Sequence, residues 1–175
     1  ITVGSNGLRQ RRVLIFGGST VFCAEVTDSL TSSSQLQQLI LQNNLEFDVL
    51  NYGIPGLRIE NQFNILKNVT NLGPGDIVVF YDGVNDLIRV FEEGLSRHKN
   101  QVPWRQLNDF ALAVEKRSLI FKRLSISGYV DNIGVTNEFL DSGAQQHISD
   151  NWLKYEELAR ELVQNKGADF VHILQ

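Results

Sequence analysis

The 175-residue chain contains no methionine and a single cysteine, Cys23. One thiol cannot pair within the chain, which excludes a disulfide framework and a cysteine-based zinc site; it leaves the compartment open, because secreted proteins also go without disulfides. The missing methionine, position 1 included, points to a processed or trimmed chain. Net charge is small, since 16 Lys+Arg against 20 Asp+Glu leave −4. The longest basic clusters are Arg9-Gln10-Arg11-Arg12 and Arg97-His98-Lys99, which excludes the electrostatic footprint of a nucleic-acid binder. No apolar run approaches the roughly 20 residues that cross a bilayer. The opening Ile1-Thr2-Val3-Gly4-Ser5 has neither a charged leader nor a hydrophobic signal core. Repeats and low-complexity segments are missing as well. What is left, with 42% hydrophobic residues, is the composition of one soluble globular domain over residues 1–175. A chain of this size buries roughly 70% of its unfolded surface without needing staples.

Apolar patterning supplies the elements. Arg12 to Phe16, Phe47 to Tyr52, Asp76 to Asp82 and Ala168 to Leu174 read as strands, the third nearly continuous in apolar residues, as a parallel sheet covered on both faces demands. Thr20 to Leu30 offers the start of a helix. Thr31 to Ser34 is a break with capping residues, after which Leu36, Leu39 and Ile40 fall at helical spacing. From Leu57, the residues Ile59, Phe63, Leu66, Val69 and Leu72 predict one buried helical face, closed by Gly73-Pro74-Gly75. Pro103 opens a further helix with its stripe from Trp104 to Leu124, and 127–142 reads as irregular. Ser149 or Asp150 caps a last helix with Trp152, Tyr155, Leu158, Ala159, Leu162 and Val163 inward and Gly167 at its end. Strands alternating with helices, without hairpin signals, predict right-handed crossovers and a three-layer α/β/α sandwich around a central parallel sheet. Ligands then sit beyond the carboxyl ends of the strands.

Those ends carry polar residues. Gly17-Gly18-Ser19-Thr20 follows the first strand, and Ser19 suits a nucleophile beside free backbone N–H groups; it equally suits a helix cap or a phosphate-holding loop. Asn51-Tyr52-Gly53-Ile54-Pro55-Gly56 and Asp82-Gly83-Val84-Asn85-Asp86 follow the next two strands and, singly, are only turns. Together they bring a serine, a glycine N–H and a side-chain amide to one rim, the set that attacks a carbonyl and holds the resulting oxyanion.

In order and spacing these blocks resemble the SGNH (GDSL-like) hydrolase superfamily in its Gly-Gly-Ser-Thr variant, with Gly18 where many members have Asp. The likeness spans most of the chain and includes the lead-in Asn6-Gly7-Leu8-Arg9. It implies a flavodoxin-like SGNH-hydrolase fold, Ser19 as nucleophile, Gly56 rather than Gly53 as the oxyanion glycine, and Asn85 as the amide donor. It also implies an Asp-x-x-His near the C-terminus, where the histidine is the base. Asp169-Phe170-Val171-His172 matches on paper. Read as a strand, however, it points Asp169 and His172 to opposite faces, which makes His172 a partly buried strand histidine. His98 and His147 read as solvated. The Asp-x-x-His segment is therefore expected beyond Gln175. The implied activity is that of an esterase-type hydrolase working through an acyl-serine on a small ester or acylated carbohydrate, with no metal or organic cofactor, no nucleic acid and no membrane span. The same site is open to O-acyl transfer onto a sugar, and a non-catalytic flavodoxin-like binding module is the other alternative.

Overall fold

A computed structural model describes residues 2–6, 11–83, 85–86 and 142–174, with the helical backbone alone for 142–148. The expected helix of Pro103 to Leu124, the irregular stretch after it, and the side chains of His98 and His147 lie outside the described residues. Ile1–Leu87 and Ser149–Gln175 make one compact unit.

Strands β1 (Arg11–Gly17), β2 (Phe47–Gly53), β3 (Ile77–Asp82) and β4 (Asp169–Leu174) form one sheet in the order β2-β1-β3-β4. Every neighbouring pair is parallel. The four expected strands are these four, with ends moved by a residue. From β1 the chain steps to one side for β2, then returns past β1 to lay down β3. That reversal is a topological switch point between β1 and β3, where open α/β sheets leave a crevice.

Period-2 alternation divides the core into two. Leu14, Phe16, Val78 and Phe80, all fully buried, face Ile59 and Leu66 of α3 (Ile59–Leu66) and Ala159 and Val163 of α4 (Ser142–Asn165). Val13 and Val49 face Ile40 of α2 (Ser32–Gln42) on the other side. Helices thus cover both faces of the sheet. Phe16 stacks on Tyr52 at 4.7 Å between centroids and meets Phe80 at 5.3 Å.

The helices depart from expectation in instructive ways. α1 is one turn, Ser19–Phe22, and does not run to Leu30. Its end is Cys23 in the left-handed region, and residues 24–30 are exposed, so no apolar stripe rewards a longer helix. α2 is capped by Thr31, whose hydroxyl accepts the Ser34 N–H. Its buried face is Ser33, Ser34, Gln37 and Ile40, while Leu39 is exposed. The rotation follows from β2 being an edge strand. The Gln37 amide donates to the Phe47 carbonyl (3.1 Å) and accepts the Val49 N–H (2.7 Å), filling backbone positions a further strand would occupy. α3 ends at Leu66. Val69 and Leu72 still pack on the core, but from a turn in which Asn68 and Val69 bond back three residues and Asn71 is left-handed. α4 begins at Ser142, so Ser149 and Asp150 lie inside it and do not cap it. The Ala and Gln residues there favour helix.

Phe80→Ala should lower stability by about 3–5 kcal/mol in urea unfolding. Val171→Ala, on a β4 position 43% exposed, should stay within about 0.5 kcal/mol. Equal effects would contradict the placement of β3 inside the sheet.

Candidate functional site

The rim at the carboxyl ends of β1, β2 and β3 is built by cross-links between loops. Ser19 opens α1 and is exposed, while Gly18 before it is buried. The Gly18 carbonyl accepts the Val21 and Phe22 N–H groups, which closes the turn. Asn51 joins β2 to this turn: its Oδ1 accepts the Gly53 N–H (2.8 Å) and its Nδ2 donates to the Val21 carbonyl (2.9 Å). Beyond β2, the Ile54 N–H donates to the Gly17 carbonyl at 3.0 Å. The Leu57 N–H then bonds the Ile54 carbonyl, also at 3.0 Å. With Pro55 second and Gly56 third at φ 75°, this has the signature of a type II turn, whose third position favours glycine.

Asn85 reaches this turn from the third strand end. Its Nδ2 donates to the Leu57 carbonyl at 2.8 Å. The same nitrogen lies against Gly18, so closely that a Cβ there would sit 2.2 Å from it. Only glycine at position 18 leaves room for this arrangement. A primary amide has two hydrogens, so one remains for another acceptor once Leu57 is served. Asp86 makes the companion link, its carboxylate accepting the Ile59 N–H in a long, shared contact of 3.3 and 3.4 Å. The structure therefore brings Asn85 to the residue next to Ser19, and Gly56 into the turn that links both. Among the described residues no group of three or more His, Cys, Asp or Glu is arranged to hold a metal ion, and no helix is long and apolar enough to cross a membrane.

His172 lies below the rim, inside β4, and its partner is Asp82 rather than Asp169. His172 Nε2 is 2.9 Å from Asp82 Oδ1. Asp169 is exposed at the start of the strand, where its N–H donates to the Asp76 carbonyl. Trp152, read from sequence as core, donates its indole N–H to the same Asp82 oxygen at 3.1 Å. This cluster was missed by sequence reasoning. Its one signal was a carboxylate as the last residue of an apolar strand.

No protein-family model matches the chain, and no curated protein matches its sequence. Solved structures similar to it include an SGNH-hydrolase family esterase and a G-D-S-L family lipolytic protein. AlinE4, an SGNH-hydrolase family esterase, is similar at 15% identity over 92% of this chain and 75% of its own, with a TM-score of 0.42. A lipolytic protein of the G-D-S-L family from Veillonella parvula is similar at 18% identity over 45% of this chain and 43% of its own, TM-score 0.37. A variant of an acetyl xylan esterase from Geobacillus stearothermophilus is similar at 14% identity over 97% and 78%, TM-score 0.42. The chain spans about half the length of some of these neighbours, 55% of an AlinE4 mutant and 43% of the Veillonella protein. Identities and TM-scores this low carry no argument about function.

Electrostatics single out Asp86. Burial, and after it the charge of Asp82, pushes its carboxyl up to about 6, against the opposing pull of the Ile59 N–H and Arg58. The folded state therefore holds this proton more tightly than the unfolded chain does. The stabilisation is complete below about pH 4 and is lost as pH rises through about 6. Asp86→Asn, which is neutral throughout, should gain in melting temperature relative to the parent between pH 4 and pH 7.5. A difference between the two proteins that is flat with pH would contradict the assignment.

Proposed function

We propose that the chain is a serine esterase-type hydrolase of the SGNH (GDSL-like) kind, in the Gly-Gly-Ser-Thr variant. On this reading it cleaves a small ester or O-acyl group through an acyl-serine. The observation that carries the reading is the Asn85 amide lying against Gly18, beside exposed Ser19, with its carbonyl partner in the Gly56 turn. A phosphate-holding loop or a plain helix cap would not require a side-chain amide from a third strand end at that spot.

Ser19 Oγ attacks the ester carbonyl, and its proton passes to a base. The carbonyl oxygen takes up the negative charge, stabilised by the N–H groups of Ser19 and Gly56 and the free hydrogen of the Asn85 amide. Collapse breaks the ester bond, and the base returns the proton to the departing alkoxide. Water then repeats the sequence on the acyl-serine and releases the acid. His172 is committed to Asp82, and the resemblance implies that the base comes instead from an Asp-x-x-His segment. The chemistry needs no metal or organic cofactor. Small esters and acylated carbohydrates are the substrates that suit it; the structural neighbours include an acetyl xylan esterase.

In the full natural protein, Ser19→Ala should abolish both hydrolysis of a short activated ester and covalent labelling by a serine-directed phosphonate. Asn85→Ala should keep the nucleophile but lose roughly 10²- to 10³-fold in kcat, about 2.7–4 kcal/mol. Gly18→Ala, whose methyl would meet Asn85 Nδ2 at 2.2 Å, should behave like Asn85→Ala. A full protein whose Ser19 takes no label would refute the reading.

A further inference from the structure

Asp82 is the last residue of β3, and Asn85 stands three positions later. The Asp82 side chain is completely buried. One of its oxygens, Oδ1, accepts from both the Trp152 indole on α4 and the His172 ring on β4. The other, Oδ2, has no hydrogen-bond partner among the described residues. The indole and imidazole stack on each other, 4.5 Å apart and 24° from parallel, with Phe80 and Phe170 alongside the imidazole. The second imidazole nitrogen faces Glu156 at 3.8 Å, beyond hydrogen-bond reach, and Glu156 is itself paired with Arg160.

A half-satisfied buried carboxylate is a poor way to stabilise a core. Apolar residues of similar volume commonly do as well or better, and leaving a buried oxygen unpaired carries a penalty. What this arrangement does provide is direction. Two separate elements, α4 and β4, converge on a single oxygen atom of β3, so the end of β3 is held in one orientation. The backbone turns immediately afterwards, at Gly83 with φ 121°. At its other end the segment is tied by Asn85 to Leu57 and by Asp86 to Ile59. The amide of Asn85 is thus suspended between two anchors, and the anchor under β3 is the Asp82 carboxylate.

The geometry points to His172 and Trp152 as positioning residues for the Asn85 amide, acting through Asp82. The inference rests on the esterase reading only for its catalytic consequence; the placement of the amide is a structural quantity in its own right. Neither residue touches the reacting atoms. Their effect falls on how well the amide is aimed, and an oxyanion donor is effective only within a narrow range near 3 Å.

The test uses the full natural protein, with the Asn85 side-chain amide resonances read by NMR and the kinetics of a short activated ester measured in parallel. His172→Leu should shift the Asn85 amide signals. It should also lower kcat by about tenfold, less than the roughly 10²-fold of losing a donor outright, at unchanged KM. His172→Gln, which restores a donor towards Asp82, should recover most of both effects. Trp152→Phe removes one of the two bonds while keeping the aromatic surface, and should shift the same amide signals; it carries the test if His172→Leu does not fold. Asn85 signals unmoved in a natively folded His172→Leu or Trp152→Phe protein would overturn the inference. Shifted signals in a protein that neither labels at Ser19 nor hydrolyses ester would uphold the positioning and refute the esterase reading.

Discussion

Gly17 is in parallel register with Gly53 on one side and with Tyr81 on the other. Everything at the rim depends on that double pairing. A parallel sheet delivers all its carboxyl ends to one edge, and the register brings those of β1, β2 and β3 to the same height to within a residue or two. Ser19, the Ile54–Leu57 turn and Asn85 then need only short loops to meet. The switch point between β1 and β3 keeps a helical crossover from filling the space between the first and third of these loops. Antiparallel pairing of β1 with β3 would send their carboxyl ends to opposite edges and separate the serine from the amide by the length of a strand.

Two pairs of polar residues in this unit contrast in their surroundings. Gln37 and Asp76 complete backbone bonding that the topology leaves open. Gln37 bonds the outer side of edge strand β2. Asp76 accepts from the Arg12 backbone and guanidinium and from the Gly73 N–H, fixing the amino end of the sheet. Such groups are satisfied and belong to stability. Asp82, with an orphan oxygen, and Asp86, pushed up to about 6, form the other pair. Both lie at the carboxyl end, and the charge of Asp82 disfavours that of Asp86. A fold selected only for stability would separate them or make one neutral. Concentrating that strain beneath Asn85 is what one expects where backbone direction matters more than local free energy.

How far the sequence could be read follows from how local each feature is. Val78 and Phe80 announce a buried strand because a continuous apolar run has few other places to go, and all four strands were legible for that reason. The three loops after β1, β2 and β3 were legible through glycine, proline and short polar residues, whose backbone preferences are local. The inward face of α2 was not, because burying Gln37 in place of Leu39 makes sense only once β2 is known to be an edge strand. α1 stopped short for a tertiary reason too: residues 24–30 lie exposed and bury no apolar stripe. The Asp82 to His172 contact joins residues 90 positions apart. It exists because parallel pairing sets His172 opposite Phe80 and so one pleat away from Asp82, which no spacing along the chain reveals. The i, i+3 argument within β4 was enough to separate His172 from Asp169, but it had no means of naming the true partner.

Gly18 and Asn85 illustrate a further kind of non-local information, a vacancy in one loop that exists to be filled from another. Taken alone, Gly18 is punctuation after a strand; in the folded unit its missing side chain is the space the Asn85 amide occupies. The two positions are therefore coupled. A chain with a side chain at the first must carry its amide elsewhere, by a different rotamer or a displaced loop, and the links from Asn85 to Leu57 and from Asp86 to Ile59 would have to move with it. An aspartate at this position would put both a Cβ and a charge where the amide now stands. The second glycine of Gly17-Gly18-Ser19-Thr20 thus lets the third loop pack against the backbone of the first.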